Sequence, residues 1–135
     1  MNFRKLTLWI MVLFLVSGCA QTVAFRASPD VPAASGEAKV SKDNNGNSLV
    51  KIEIAYLAPP ANLSPAKSVY VVWAQAPQGR TVNLGQMLVG NNRVGKFTGI
   101  TSLNQFRIMV TPEDLPAVAT PSKQEILSTE VFTVN

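Results

Sequence analysis

The residues able to do chemistry in this 135-residue chain are few, and the gaps among them say as much as the residues themselves. There is no histidine, so the usual general base near neutral pH and the commonest metal ligand are both missing. There is one cysteine, Cys19. Together these facts exclude Ser-His-Asp and Cys-His catalysis and zinc sites built from several thiolates or imidazoles. Paired carboxylates could still serve glycoside hydrolysis, but the only adjacent acids are Glu113 and Asp114, in a Pro-rich stretch that reads as a solvated loop. Asp43 with Asn44, Asn45 and Asn47 is rich in oxygen ligands, yet it holds one carboxylate and lacks the closing Glu of a calcium loop; a turn is expected instead. Gly85, Gly90, Gly95 and Gly99 form no phosphate-cradling motif. The expectation is a protein that is not an enzyme, with no cofactor and no metal.

Cys19 therefore carries the chemical argument, and its surroundings give it a role. Arg4 and Lys5 precede an uncharged apolar run over residues 6–16. That run is short for a permanent span, which needs about 20 apolar residues, and matches the apolar region of a secretory signal peptide. Leu15, Val16, Ser17, Gly18 and Cys19 then resemble the bacterial lipobox, an aliphatic residue and small residues before a cysteine. Small side chains at 17 and 18 let an extended backbone enter a peptidase cleft. The resemblance implies cleavage between Gly18 and Cys19, an S-diacylglyceryl thioether on Cys19, and N-acylation of its new amino group by a fatty acid such as palmitate. Two or three chains hold a protein stably at a membrane, where a single chain holds it marginally. The residues after Cys19 are Ala20 and Gln21, without the Asp that marks inner-membrane retention. The expected location is extracytoplasmic and membrane-anchored, on the outer membrane in a host with two membranes.

With the only thiol given to lipid, the exported domain must be stable without a disulfide. The chain carries 12 Lys and Arg against 8 Asp and Glu, and Arg4 and Lys5 belong to the leader, which leaves a net charge of +2. Basic residues are scattered singly, so no nucleic-acid partner is expected. The expected partners are the membrane, through the lipid on Cys19, and an envelope protein.

The elements that must carry these features read as β-structure. Residues 1–18 are the signal peptide. Residues 19–35, with two Pro and no sustained periodicity, read as a flexible tether in which Phe25 makes a local contact. Residues 36–135 read as one folded domain. In it, residues 37–42 and 49–57 flank Asn45-Gly46, a strong hairpin signal, and Val50, Ile52, Ile54 and Tyr56 alternate with Lys51 and Glu53. Residues 68–75 are apolar on both faces and read as a central strand, with Trp73 in the core. Turns at 77–80 and 90–93 separate further strands over 81–89 and 94–98. Residues 103–110 read as a half-buried strand, residues 111–124 with Pro112, Pro116 and Pro121 as a long surface loop, and residues 125–134 as a last strand. About seven short strands with regular turn signals predict an all-β, immunoglobulin-like antiparallel β-sandwich.

Val69-Tyr-Val-Val-Trp73, Pro77-Gln-Gly79, Leu84-Gly85 and Val110-Thr-Pro-Glu113, with a later Pro121, resemble the extracytoplasmic C-terminal domain of bacterial anti-sigma factors of the sigma-K type. The resemblance covers about residues 69–129 and implies the same β-sandwich. The family's cytoplasmic sigma-binding region and membrane helix have no counterpart, and the lipobox cysteine stands in their place. The reading is a lipid-anchored lipoprotein of the cell envelope acting as a non-catalytic binding or structural module. The alternative is an accessory sensory or regulatory module related to anti-sigma systems.

Overall fold

The structure, a computed structural model, describes residues 20–135. Gly18, Cys19 and the leader lie outside the described residues. Ten strands follow in chain order: β1 (Gln21–Ala24), β2 (Arg26–Ala27), β3 (Ser35–Lys42), β4 (Ser48–Ala55), β5 (Val69–Gln75), β6 (Thr81–Val89), β7 (Gly95–Thr101), β8 (Gln105–Glu113), β9 (Leu127–Ser128) and β10 (Phe132–Thr133). The described residues hold no α-helix, only a 3-10 turn at Pro60–Asn62.

Every pairing is antiparallel, and the strands follow the order β1-β3-β4-β7-β6-β5-β8-β9-β2, with β10 continuing beside β8. The two ends of that order, β1 and β2, are separated in the chain by Phe25 alone. One stretch of backbone thus begins on β3 and finishes on β9, and the sheet nearly closes on itself as a barrel. The expected all-β antiparallel fold is found. Its finer immunoglobulin-type detail is not established by a pairing that follows one near-closed path.

A second crossing point lies in β6. Residues 81–87 pair with β5 and the last two residues with β7, and within the β5 ladder the register slips so that Leu84 has no partner of its own. This bulge bends the strand across from one side of the barrel to the other. Gly85 follows at φ +129°, a conformation that a residue with a side chain rarely adopts.

The predicted hairpins form where expected. Gly46 takes φ +77° in the β3–β4 turn, where Asp43 N–H donates to the Asn47 carbonyl at 2.9 Å. The 76–80 and 90–94 turns close through Ala76 N–H to Arg80 O and Gly90 N–H to Val94 O. Alternation then builds the interior: Ala38 and Val40 from β3 and Val50, Ile52 and Ile54 from β4 point inward, with Lys39, Lys51 and Glu53 outside. They meet Tyr70, Val72, Met87, Phe97, Phe106, Ile108 and Val110 from the other strands.

Three expectations are corrected. Residues 21–34 are not a flexible tether: β1 and β2 are paired strands, Phe25 packs against the core, and Val31 and Ala34 are buried within it. The Pro residues of this stretch flank the paired segments instead of interrupting them. The 125–134 strand is broken into two short pieces, β9 and β10. The 111–124 loop starts later than expected, because residues 111–113 complete β8, opposite β5.

Candidate functional site

Geometry separates Glu113 from Asp114. Glu113 ends β8 and is buried; its Oε1 accepts from Thr111 Oγ1 at 2.8 Å and from Ser122 N–H at 2.6 Å. Thr111 Oγ1 accepts in turn from Trp73 Nε1 at 2.8 Å. Asp114 is exposed, with Lys67 Nζ at 3.5 Å. The solvated-loop reading holds for Asp114 and fails for Glu113, whose carboxylate fastens the loop to the sheet. Asp43 is a turn residue as expected, its Oδ1 accepting from the N–H groups of Asn45 (2.8 Å) and Asn47 (2.9 Å).

Trp73 is fully buried, yet it lies on the opposite face of β5 from Tyr70 and Val72. With Val71 and Met109 it forms a second apolar cluster on the outside of the sheet, packed by Val69 and by Val118 of the loop. Asn83 Nδ2 donates to the carbonyls of Pro116 and Val118, both at 2.9 Å, and so holds the loop down over that cluster. Tyr70 is the interior member of the pair: its hydroxyl donates to the Ala58 carbonyl at 2.6 Å, and burial pushes its pKa up to about 12.

Two surface features have the character of binding sites. The first is a groove of about 750 Å³ over the outer face of β3, β4 and β7. The hairpin register puts Glu37 opposite Glu53 and Lys39 opposite Lys51; β7 adds Lys96 beside Glu53 and Thr98 beside Lys51. Directly opposed side chains have Cβ atoms about 5 Å apart, and like charges there are destabilising. Among the described residues none of these five charges is ion-paired. Lys96, directly opposite Glu53, offsets the glutamate pair, whereas the Lys39–Lys51 pair has no acid opposite it.

The second feature is Tyr56. Alternation places it on the interior face with Ile54, but β4 ends at Ala55 and Tyr56 takes φ +56°, with its side chain 73% exposed. A left-handed residue bearing a Cβ costs roughly 1–2 kcal/mol. The next residue holds it there: Leu57 is fully buried and its N–H donates to the Arg93 carbonyl at 2.9 Å. Leu88 and Leu115 are also exposed toward this end of the barrel.

Sequence reasoning treated Lys39 and Lys51 as isolated. The signal was present: Glu37-x-Lys39 and Lys51-x-Glu53 mirror one another about Asn45, so any symmetric hairpin there sets like against like. Compared with protein-family models and with characterised proteins, the chain matches none. The residues that carry the anti-sigma resemblance have structural work here: Tyr70 fills the interior, Trp73 the outer cluster, Gly79 a turn, and Glu113 the loop contact.

Proposed function

We propose that this chain is a lipid-anchored lipoprotein of the cell envelope, held at a membrane by acyl chains on Cys19, and that its β-domain is a non-catalytic binding or structural module. One observation carries the reading: the only cysteine stands at the end of a short apolar run, after Ser17 and Gly18, and a folded domain begins two residues later. One feature supports it. The carboxylate that might have served hydrolysis, Glu113, is committed to Thr111 and Ser122. Binding falls to the charged groove and to the loops, where recognition on rigid scaffolds concentrates.

Cys19→Ser is the test. The unmodified chain incorporates a labelled fatty acid such as palmitate and sediments with membranes; the variant does neither. A Cys19→Ser chain that is still processed and still labelled overturns the proposal.

A further inference from the structure

We infer that the β-domain docks against the bilayer surface by one defined end of its barrel, and that its occupant there is the lipid headgroup layer holding the acyl chains of Cys19. The inference rests on the lipid-anchor reading above and adds what that reading lacks, an orientation.

The argument begins with chain length. A residue spans at most about 3.6 Å, so Gln21 is within about 7 Å of Cys19 along the backbone. Only Ala20 separates them, and Gln21 is already paired with Val40. An anchor at Cys19 therefore pulls on a strand of the barrel with no slack, and headgroups extend several ångströms beyond the hydrocarbon.

The antiparallel order then decides what else lies at this end. Gln21 is beside the lower halves of β3 and β4, where Val40 pairs with Val50 and Ser48 with Thr101. The 43–47 turn, the 101–104 connection and the 76–80 turn all leave the barrel here. The 56–68, 90–94 and 114–126 connections leave from the opposite end. A strand of eight residues is about 26 Å long, so the two ends differ in height by about that distance.

The near end is built as a rigid polar platform. Lys42 Nζ donates to Asn104 Oδ1, tying the β3–β4 hairpin to the β7–β8 connection, and Ser48 Oγ donates to Leu103 O at 2.8 Å. Its exposed side chains include Asn44, Asn45 and Asn104, with Lys42 and Arg80 as cations. Within those three connections the one carboxylate is Asp43, already occupied by two backbone N–H groups. Amides and cations suit a layer of phosphates, and a cation near an anionic membrane surface is attracted to it. The far end carries Asp114 beside Lys67, the cations Arg93 and Lys123, and the exposed Tyr56 and Leu115, so the short link at Gln21, and not net charge, selects the near end.

The test uses the full-length lipidated chain in vesicles of phosphatidylethanolamine and phosphatidylglycerol that carry a headgroup-linked acceptor dye. A donor dye is attached at Asn45→Cys or Asn91→Cys, both in exposed turns at opposite ends. Energy transfer several-fold stronger from position 45 than from position 91 is the expected result. Inserting ten Gly and Ser residues between Ala20 and Gln21 should collapse that contrast while membrane association persists. Equal or reversed transfer in a chain that carries fatty-acid label overturns the orientation and leaves the anchor standing, and a contrast unaffected by the insertion overturns the short link as its cause. A chain that carries no label overturns the anchor, and the orientation with it.

Discussion

Two apolar clusters stand back to back on β5. The interior one is walled mainly by strands, and most of its members come from alternation within paired segments, with Val31, Leu57, Leu63 and Ile126 added from the connections. The outer one, Val71, Trp73 and Met109, lies on the far face of the same strand and is sheltered by a loop without regular structure. The difference lies in what keeps water out. Around Tyr70 and Phe106 it is the barrel wall, held by ladders of backbone hydrogen bonds. Over Trp73 it is a handful of side-chain bonds, from Asn83, Thr111, Glu113 and Ser122. One cluster should fail only with the whole fold, and the other can open alone.

The largest effect expected follows from removing a wall residue. Phe106 is fully buried and packs against Phe132 with the rings tilted by 60° and their centres 4.8 Å apart. Phe106→Ala should lower stability by about 3–5 kcal/mol, read by denaturant unfolding, and the loss should be global. Glu113→Ala comes next, at about 1–3 kcal/mol, since Thr111 and Ser122 lose a buried acceptor. Amide exchange there should rise over residues 114–124 while β4 and β8 stay protected; a uniform rise would erase the distinction between the clusters. Tyr70 supplies a pH test of the interior. Below pH 10 its phenol is protonated in both folded and unfolded chains. Between 10 and about 12 the unfolded chain loses the proton and the folded one keeps it, so the stabilisation is lost as pH rises through that window. Thermal melts of the unaltered chain should therefore fall more steeply there than those of Tyr70→Phe. The smallest effect belongs to Asn83→Ala, about 1 kcal/mol, detected as faster proteolysis in the 114–120 segment.

How much of this was legible in the sequence depends on the range of the forces involved. The β3–β4 hairpin was readable because alternation and Asn45-Gly46 are local signals that tertiary packing reinforces. The turns at 77–80 and 90–93 were readable for the same reason. Residues 21–27 were not, because two short strands on two different neighbours leave no periodicity of their own; their pairing is decided by Glu37, Val40, Leu127 and Ser128 far along the chain. Trp73 was correctly read as buried and wrongly placed in the main core. A strand apolar on both faces says that both are covered, and does not say by what. Glu113 looked like a loop acid because Pro112 precedes it, yet Pro112 sits within the ladder opposite Tyr70. Of the candidate functional residues, the charged groove was encoded in spacing and became visible only once the hairpin register was known.

The crossing of the N-terminal stretch from β3 to β9 also governs the order in which this chain can fold. Arg26 pairs with Ser128, so the barrel's last seam joins almost the first described residues to almost the last. Closing so long a loop costs entropy that only the completed interior can offset, and contacts of such separation form slowly. The hairpins at 43–47, 76–80 and 90–94 are local and can form early; the seam must wait for the C-terminal strands. Whatever delays or removes β9 therefore releases β2 at the opposite terminus, so that Arg26 and Ala27, just past the β1 strand that β3 already holds, are the final part of the domain to become native.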